Sequence, residues 1–143
     1  MPEIDYAFLC DHARVEGGLG YVIAAGVDTL YVPEVPSGAN IALLMRVSFT
    51  RNECDRPHRI EVIIQDTDGA RIGVINGTAT PQWIPDLPPG WRVGTMTAFN
   101  MGLPLPHYGE YSIEILVNDG NARSIDFRVI PPRDTGQAEG GAT

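Results

Sequence analysis

Carboxylates sit at two points where the chain reads as turning, in Asp66-Thr67-Asp68-Gly69 and in Asn118-Asp119-Gly120. If those loops meet, Asp66, Asp68 and Asp119 offer the oxygen donors from which calcium sites are assembled. Hairpin turns ask for the same residues, because Gly takes positive φ without strain and an Asx side chain bonds its own backbone. Turn chemistry therefore accounts for them first, with calcium as the alternative. Cys10 and His12 are a second set. On one strand they share a face while Asp11 points away, so they offer two metal ligands or a nucleophile with its base. A zinc or hydrolytic centre would need His58 or His107 to converge on them, and a buried Cys beside an edge His is the commoner arrangement. The chain has no Gly-x-Ser-x-Gly elbow, phosphate-binding loop or His-Glu-x-x-His helix. A non-enzyme without a cofactor is the expectation, and a hydrolase or redox enzyme around Cys10 and His12 is a second alternative. The third set is Trp83, Pro85, Pro88, Pro89 and Trp91. Aromatic rings on a stiff loop serve both as carbohydrate platforms and as protein hot spots. Indoles that merely cap the open end of a core would give the same sequence.

The elements that must position these residues are strands. Alternation of apolar and polar residues recurs from segment to segment, with Gly, Pro, Asn and Asp between. Ile60, Val62 and Ile64 fall on one face of a strand; Ile41, Leu43, Met45, Val47 and Phe49 on one face of another. Tyr111, Ile113, Ile115 and Val117, then Ile125, Phe127 and Val129, form a predicted hairpin around Asn118-Asp119-Gly120-Asn121. Tyr6, Phe8 and Cys10 read as the core face of the first strand, and Tyr21, Ile23, Ala25 and Val27 as that of the second. Val93 to Met101 gives a weaker strand, stopped by the turn Gly102-Leu103-Pro104-Leu105-Pro106. Arg71 to Thr80 completes a set of about eight strands, and no window shows capped helical periodicity. The expected fold is all-β, a two-sheet antiparallel sandwich of immunoglobulin-like or C2-like type. One domain is expected over 1–130. The remainder, 131–143, has no apolar anchor and is expected to be disordered. Leu44, Ile63 and Leu116 come out on polar faces, where they offer a patch for a homo-oligomer or are scattered exposure.

Composition narrows the partners. Ten Arg and no Lys stand against 18 acidic residues, a net charge of −8. Nucleic acid would be repelled, and no basic patch exists to bind an anionic membrane surface. No apolar run reaches the roughly 18 residues of a membrane helix, and the N-terminal residues carry no leader pattern, so the cytoplasm is expected. Cys10 and Cys54 are expected as free thiols.

The segment Leu105-Pro106-His107-Tyr108-Gly109-Glu110-Tyr111-Ser112-Ile113 resembles the closing hairpin of many immunoglobulin-like sandwiches. There a tyrosine hydroxyl bonds back to the preceding turn, which implies that structural role for Tyr111. Residues 4 to 130 also resemble a family of small uncharacterised bacterial proteins. The resemblance lies in Asp5-Tyr6-Ala7-Phe8-Leu9-Cys10-Asp11-His12-Ala13, Ala25-Gly26-Val27-Asp28, His58-Arg59-Ile60-Glu61-Val62 and Asp66-Thr67-Asp68-Gly69. It implies a fold and assigns no activity. The functional expectation is a protein-binding or scaffolding module, whose partner can be a second copy of itself, which uses Trp83, Pro85, Pro89 and Trp91; a calcium- or carbohydrate-binding sandwich is the alternative.

Overall fold

A computed structural model describes residues 1–133, so most of the tail expected to be disordered, 134–143, lies outside the described residues. The described chain is all-β, with a single turn of 3-10 helix at Arg51–Glu53. Its strands are β1 (Glu3–Cys10), β2 (His12–Glu16), β3 (Leu19–Ile23), β4 (Thr29–Tyr31), β5 (Ser37–Phe49), β6 (His58–Gln65), β7 (Arg71–Ala79), β8 (Val93–Leu105), β9 (Gly109–Val117) and β10 (Gly120–Ile130). They form three sheets, ordered β1-β5-β8, β4-β10-β9-β6-β7 and β2-β3. Every pairing is antiparallel except that of β4 with β10. No helix among the described residues is long and apolar enough to cross a membrane.

One core lies between the two larger sheets. Leu43, Met45, Val47 and Phe49 of β5 meet Ile60, Val62 and Ile64 of β6 and Ile113, Ile115 and Val117 of β9 within a single buried cluster. These are the alternating sets of the sequence, and strict alternation is what lets one face of each sheet stay dry. The β9–β10 hairpin turns on Asn118 and Asp119, both at positive φ (52° and 67°), as a two-residue loop with the strands' own twist requires. It sets Tyr111 opposite Phe127 and Ile113 opposite Ile125.

A second, smaller cluster lies on the outer face of the three-stranded sheet. Cys10, Ala13, Ala42 and Leu44 are buried there, with Phe8, Val15, Met96 and Ala98 packed around them. The β2–β3 hairpin makes this cluster by folding over the sheet on a Gly17-Gly18 loop whose φ values are 57° and 77°. Asn100 Nδ2 donates to the Ala13 carbonyl at 2.9 Å and pins the hairpin in place. Gly20 is where the two layers come closest, since a Cβ there would stand 2.8 Å from Met96 Cε and 2.9 Å from Leu44 Cδ2.

Several expectations change here. Leu44 is buried, because the hairpin covers it, and Ile63 is buried within β6, flanked by β7 and β9; only Leu116 stays half-exposed. Tyr6, Phe8 and Cys10 do not face the main core. A bulge between Ile4 and Tyr6 shifts the register by one, so Ile4, Ala7 and Leu9 face the main core and Phe8 and Cys10 the smaller one. Tyr21, Ile23 and Ala25 are exposed, not core. The segment from Gly102 to Leu105 is strand, not turn. Pro104 is tolerated there because β8 is an edge strand, where a missing N–H breaks no ladder bond.

Candidate interaction surface

The hairpin that covers the small cluster leaves its own outer side bare. Val15 pairs with Gly20 and Ala13 with Val22, so these four point toward the sheet. Leu19, Tyr21 and Ile23 therefore point away, and they are 64%, 49% and 62% exposed. Beside them on β2 run Glu16, Arg14 and His12. Arg14 pairs with Glu16 at 3.4 Å, and its guanidinium lies 5.5 Å from the centre of the Tyr21 ring. Among the described residues β3 pairs with β2 alone. Its other edge presents backbone N–H and C=O groups with no strand against them, the condition under which a further strand can add.

Next to that edge, a groove of about 730 Å³ runs between β3 and the outer face of the three-stranded sheet. Tyr6, Phe8, Leu44 and Met96 make its apolar walls. Tyr6 and Phe8 are stacked with centroids 6.1 Å apart, and the Tyr6 hydroxyl contacts Met96 Sδ at 3.4 Å. Arg46 closes one end, paired with Asp5. It lies directly over Gly94, so a side chain there would have to displace the guanidinium. The surface is thus an open strand edge, an outward apolar stripe and an apolar trough, with the nearby charges internally paired.

The residues singled out from sequence lie elsewhere. Trp83 is half-buried against the core, with the Arg51 guanidinium 5.4 Å over its ring, whereas Trp91 is 60% exposed. Both line a groove of about 450 Å³ with Arg51, Asn52 and Leu87. Pro85 and Pro89 are exposed on the same loop. Arg92 is already committed, donating to Ser48 Oγ, the Ser48 carbonyl and the Met1 carbonyl at 2.8 to 3.0 Å.

Cys10 and His12 are not brought together. Cys10 is fully buried, with Sγ 3.6 Å from the Ala42 carbonyl, while His12 begins β2 on its exposed side. Burial first, and the nearby Asp11 charge second, push the Cys10 thiol above its ordinary pKa, which keeps it protonated and a poor nucleophile. His58 is buried against Phe49, with Nε2 2.6 Å from the Glu53 carbonyl and Nδ1 2.8 Å from Asn118 Nδ2. His107 lies at the other end of the molecule's β6–β9 pair, beside Asp66. Asp119 pairs with Arg59 near the start of β6, whereas Asp66 follows its last residue. The three carboxylates therefore do not form one site; Asp66 and Asp68 instead meet His107. The Tyr111 hydroxyl donates to the His107 carbonyl at 2.6 Å and accepts from the His107 N–H at 3.3 Å.

Sequence reasoning missed the β3 stripe because it assigned Tyr21 and Ile23 to the core. The signal was Gly17-Gly18 between two short alternating segments, a hairpin signature that separates 12–16 from 19–23.

Fold and surface together describe an all-β chain with an exposed strand, in which Cys10 and His12 are not joined by His58 or His107. The chain belongs to a family of unknown function, DUF6941, whose model matches residues 5–130. Among curated proteins, none matches the chain.

Proposed function

We propose that this protein is a binding module that captures an extended segment of a protein partner along the free edge of β3. The observation that carries the reading is β3 itself: every residue exposed, three large apolar side chains in a row on the outer side, and an open backbone edge. Backbone hydrogen bonds would supply affinity, while Leu19, Tyr21, Ile23 and the groove wall at Tyr6 and Phe8 would select the partner's side chains. The two larger sheets around one core serve as a rigid β-sandwich scaffold of immunoglobulin-like or C2-like type. Two buried free thiols fit a reducing compartment such as the bacterial cytoplasm.

The test uses a fluorescent eight-residue peptide of alternating valine and threonine as the probe strand, read by anisotropy. Wild type is expected to bind it saturably. Tyr21→Glu is expected to bind at least about tenfold more weakly while its stability changes by no more than about 0.5 kcal/mol, as for an exposed side chain. Equal binding by the two proteins, or none by wild type, rejects the reading.

A second reading rests on Trp91, whose indole is free beside Arg51. There the Trp83, Pro85, Pro89 and Trp91 loop is the partner surface, or a stacking platform for a sugar. Loss of partner binding in Trp91→Ala with binding intact in Tyr21→Glu would favour it.

A further inference from the structure

At the far end of β6 the loop 66–70 meets the turn that leads into β9. Asp66 Oδ1 accepts from the N–H groups of Asp68 and Ala70, both at 3.0 Å, and Thr67 Oγ1 donates to the Glu110 carbonyl. The loop and the turn are thereby fixed against each other. The His107 ring stacks on Tyr111 at 5.5 Å, and its Nδ1 lies 3.1 Å from the Tyr108 carbonyl oxygen. That oxygen can only accept, so in the neutral ring Nδ1 carries the proton. Nε2 then points a lone pair at Asp66 Oδ2, 3.2 Å away. The Asp66 side chain is only 10% exposed, and in this tautomer its Oδ2 has no donor. An imidazole nitrogen and a carboxylate oxygen at this distance hold either a proton on Nε2, which makes them an ion pair, or a metal ion that both atoms ligate. Asp68 brings a third donor, because the ligand atoms of Asp66, Asp68 and His107 all lie within 4.8 Å of one another. Its carboxylate has no hydrogen-bond partner among the described residues.

We propose that Asp66, Asp68 and His107 bind a divalent transition-metal ion of the zinc class. An imidazole nitrogen with two carboxylates is a donor set that zinc accepts and calcium, which takes oxygen ligands throughout, does not select. An Nδ1–H held by a backbone carbonyl is also the arrangement that orients metal-bound histidines and fixes Nε2 as the ligand. The site lies on the loop after β6, not on β3, and does not depend on the strand-capture reading.

The test is calorimetric titration of the chelator-stripped protein with zinc chloride near neutral pH, with calcium chloride in parallel. One zinc ion per chain is expected, and no heat from calcium. Asp68→Asn removes a ligand without touching any bond that holds the loop. His107→Gln removes the nitrogen. Each is expected to weaken zinc by about tenfold or more, since loss of even an outer partner of a ligand costs about 10- to 100-fold. Unchanged near-ultraviolet circular dichroism shows that the variants are folded. No saturable uptake by wild type overturns the proposal and leaves a proton on Nε2 as the occupant. Equal zinc affinity in wild type and both variants overturns it by placing the ion elsewhere, as does preference for calcium.

Discussion

Glu53 is a carboxylate that burial by itself would push toward the neutral form. The Thr50 N–H at 2.7 Å, the Met1 ammonium at 2.9 Å and the Thr50 hydroxyl at 3.0 Å together outweigh that burial. The net effect holds its pKa below the ordinary value. A group whose pKa is depressed on folding stabilises the fold above its unfolded pKa, and that contribution is lost as pH falls through the folded value. Glu53→Gln keeps the shape and removes the charge. The variant is expected to be less stable than wild type at neutral pH, with the difference shrinking as pH falls below about 4.3. Urea midpoints at a series of pH values read this directly; a gap independent of pH would mean that the charge contributes nothing. Cys10 and His58 make the complementary point, for residue types that could do chemistry are used here as packing. One is sealed under a hairpin and the other is bonded to Glu53 and Asn118.

The β2–β3 hairpin is the element on which the functional reading turns, and Gly20 is its point of closest approach. Gly20→Val would drive side-chain atoms into Met96 and Leu44. It is expected to cost about 1–3 kcal/mol through overpacking and to weaken capture of the probe strand by lifting β3; urea unfolding and anisotropy measure the two effects. An unchanged stability would show that the hairpin does not rest on the sheet as described. The strands of the main core were legible as alternation, since each buries one face against a single interior, as Ile60, Val62 and Ile64 do. The β9–β10 hairpin was legible through Asn118-Asp119-Gly120, a turn whose chemistry is local. Alternation tells which residues share a face and not which face is buried, and this is where Tyr21 and Ile23 went astray. The bulge at Asp5 inverted Tyr6 and Phe8 for a related reason, since one inserted residue changes phase without changing composition. His107 was unattached to Asp66 in the sequence because 41 residues separate them. Only the β6–β9 register, with Gln65 opposite Ser112, places the turn before β9 next to the loop after β6.

Across the whole molecule two interiors of very unequal size share the three-stranded sheet. The larger draws on both large sheets, while the smaller has four buried residues beneath a two-stranded flap. Local opening scales with the apolar contacts that hold a segment, so the flap is expected to open well before the whole domain unfolds. Hydrogen exchange followed by mass spectrometry should show amides of 12–23 exchanging faster than those of 60–64, and uniform exchange across both would contradict it. Acidity acts at this scale as well. The chain carries −8 overall, yet the segment 12–23 holds one Arg and one Glu and no other formal charge with His neutral. That leaves a neutral strand edge on a molecule whose remaining surface repels acidic company. The bulge at Asp5 has a consequence for descent. Because β1 serves Ile4, Ala7 and Leu9 to one interior and Phe8 and Cys10 to the other, loss of Asp5 would remove the bulge and keep both sets in place, whereas loss of one codon between Ala7 and Leu9 would change the phase of the residues around it. Lineages should therefore tolerate length changes at Gly17-Gly18, where the loop is open to solvent, and purge them between Ala7 and Leu9.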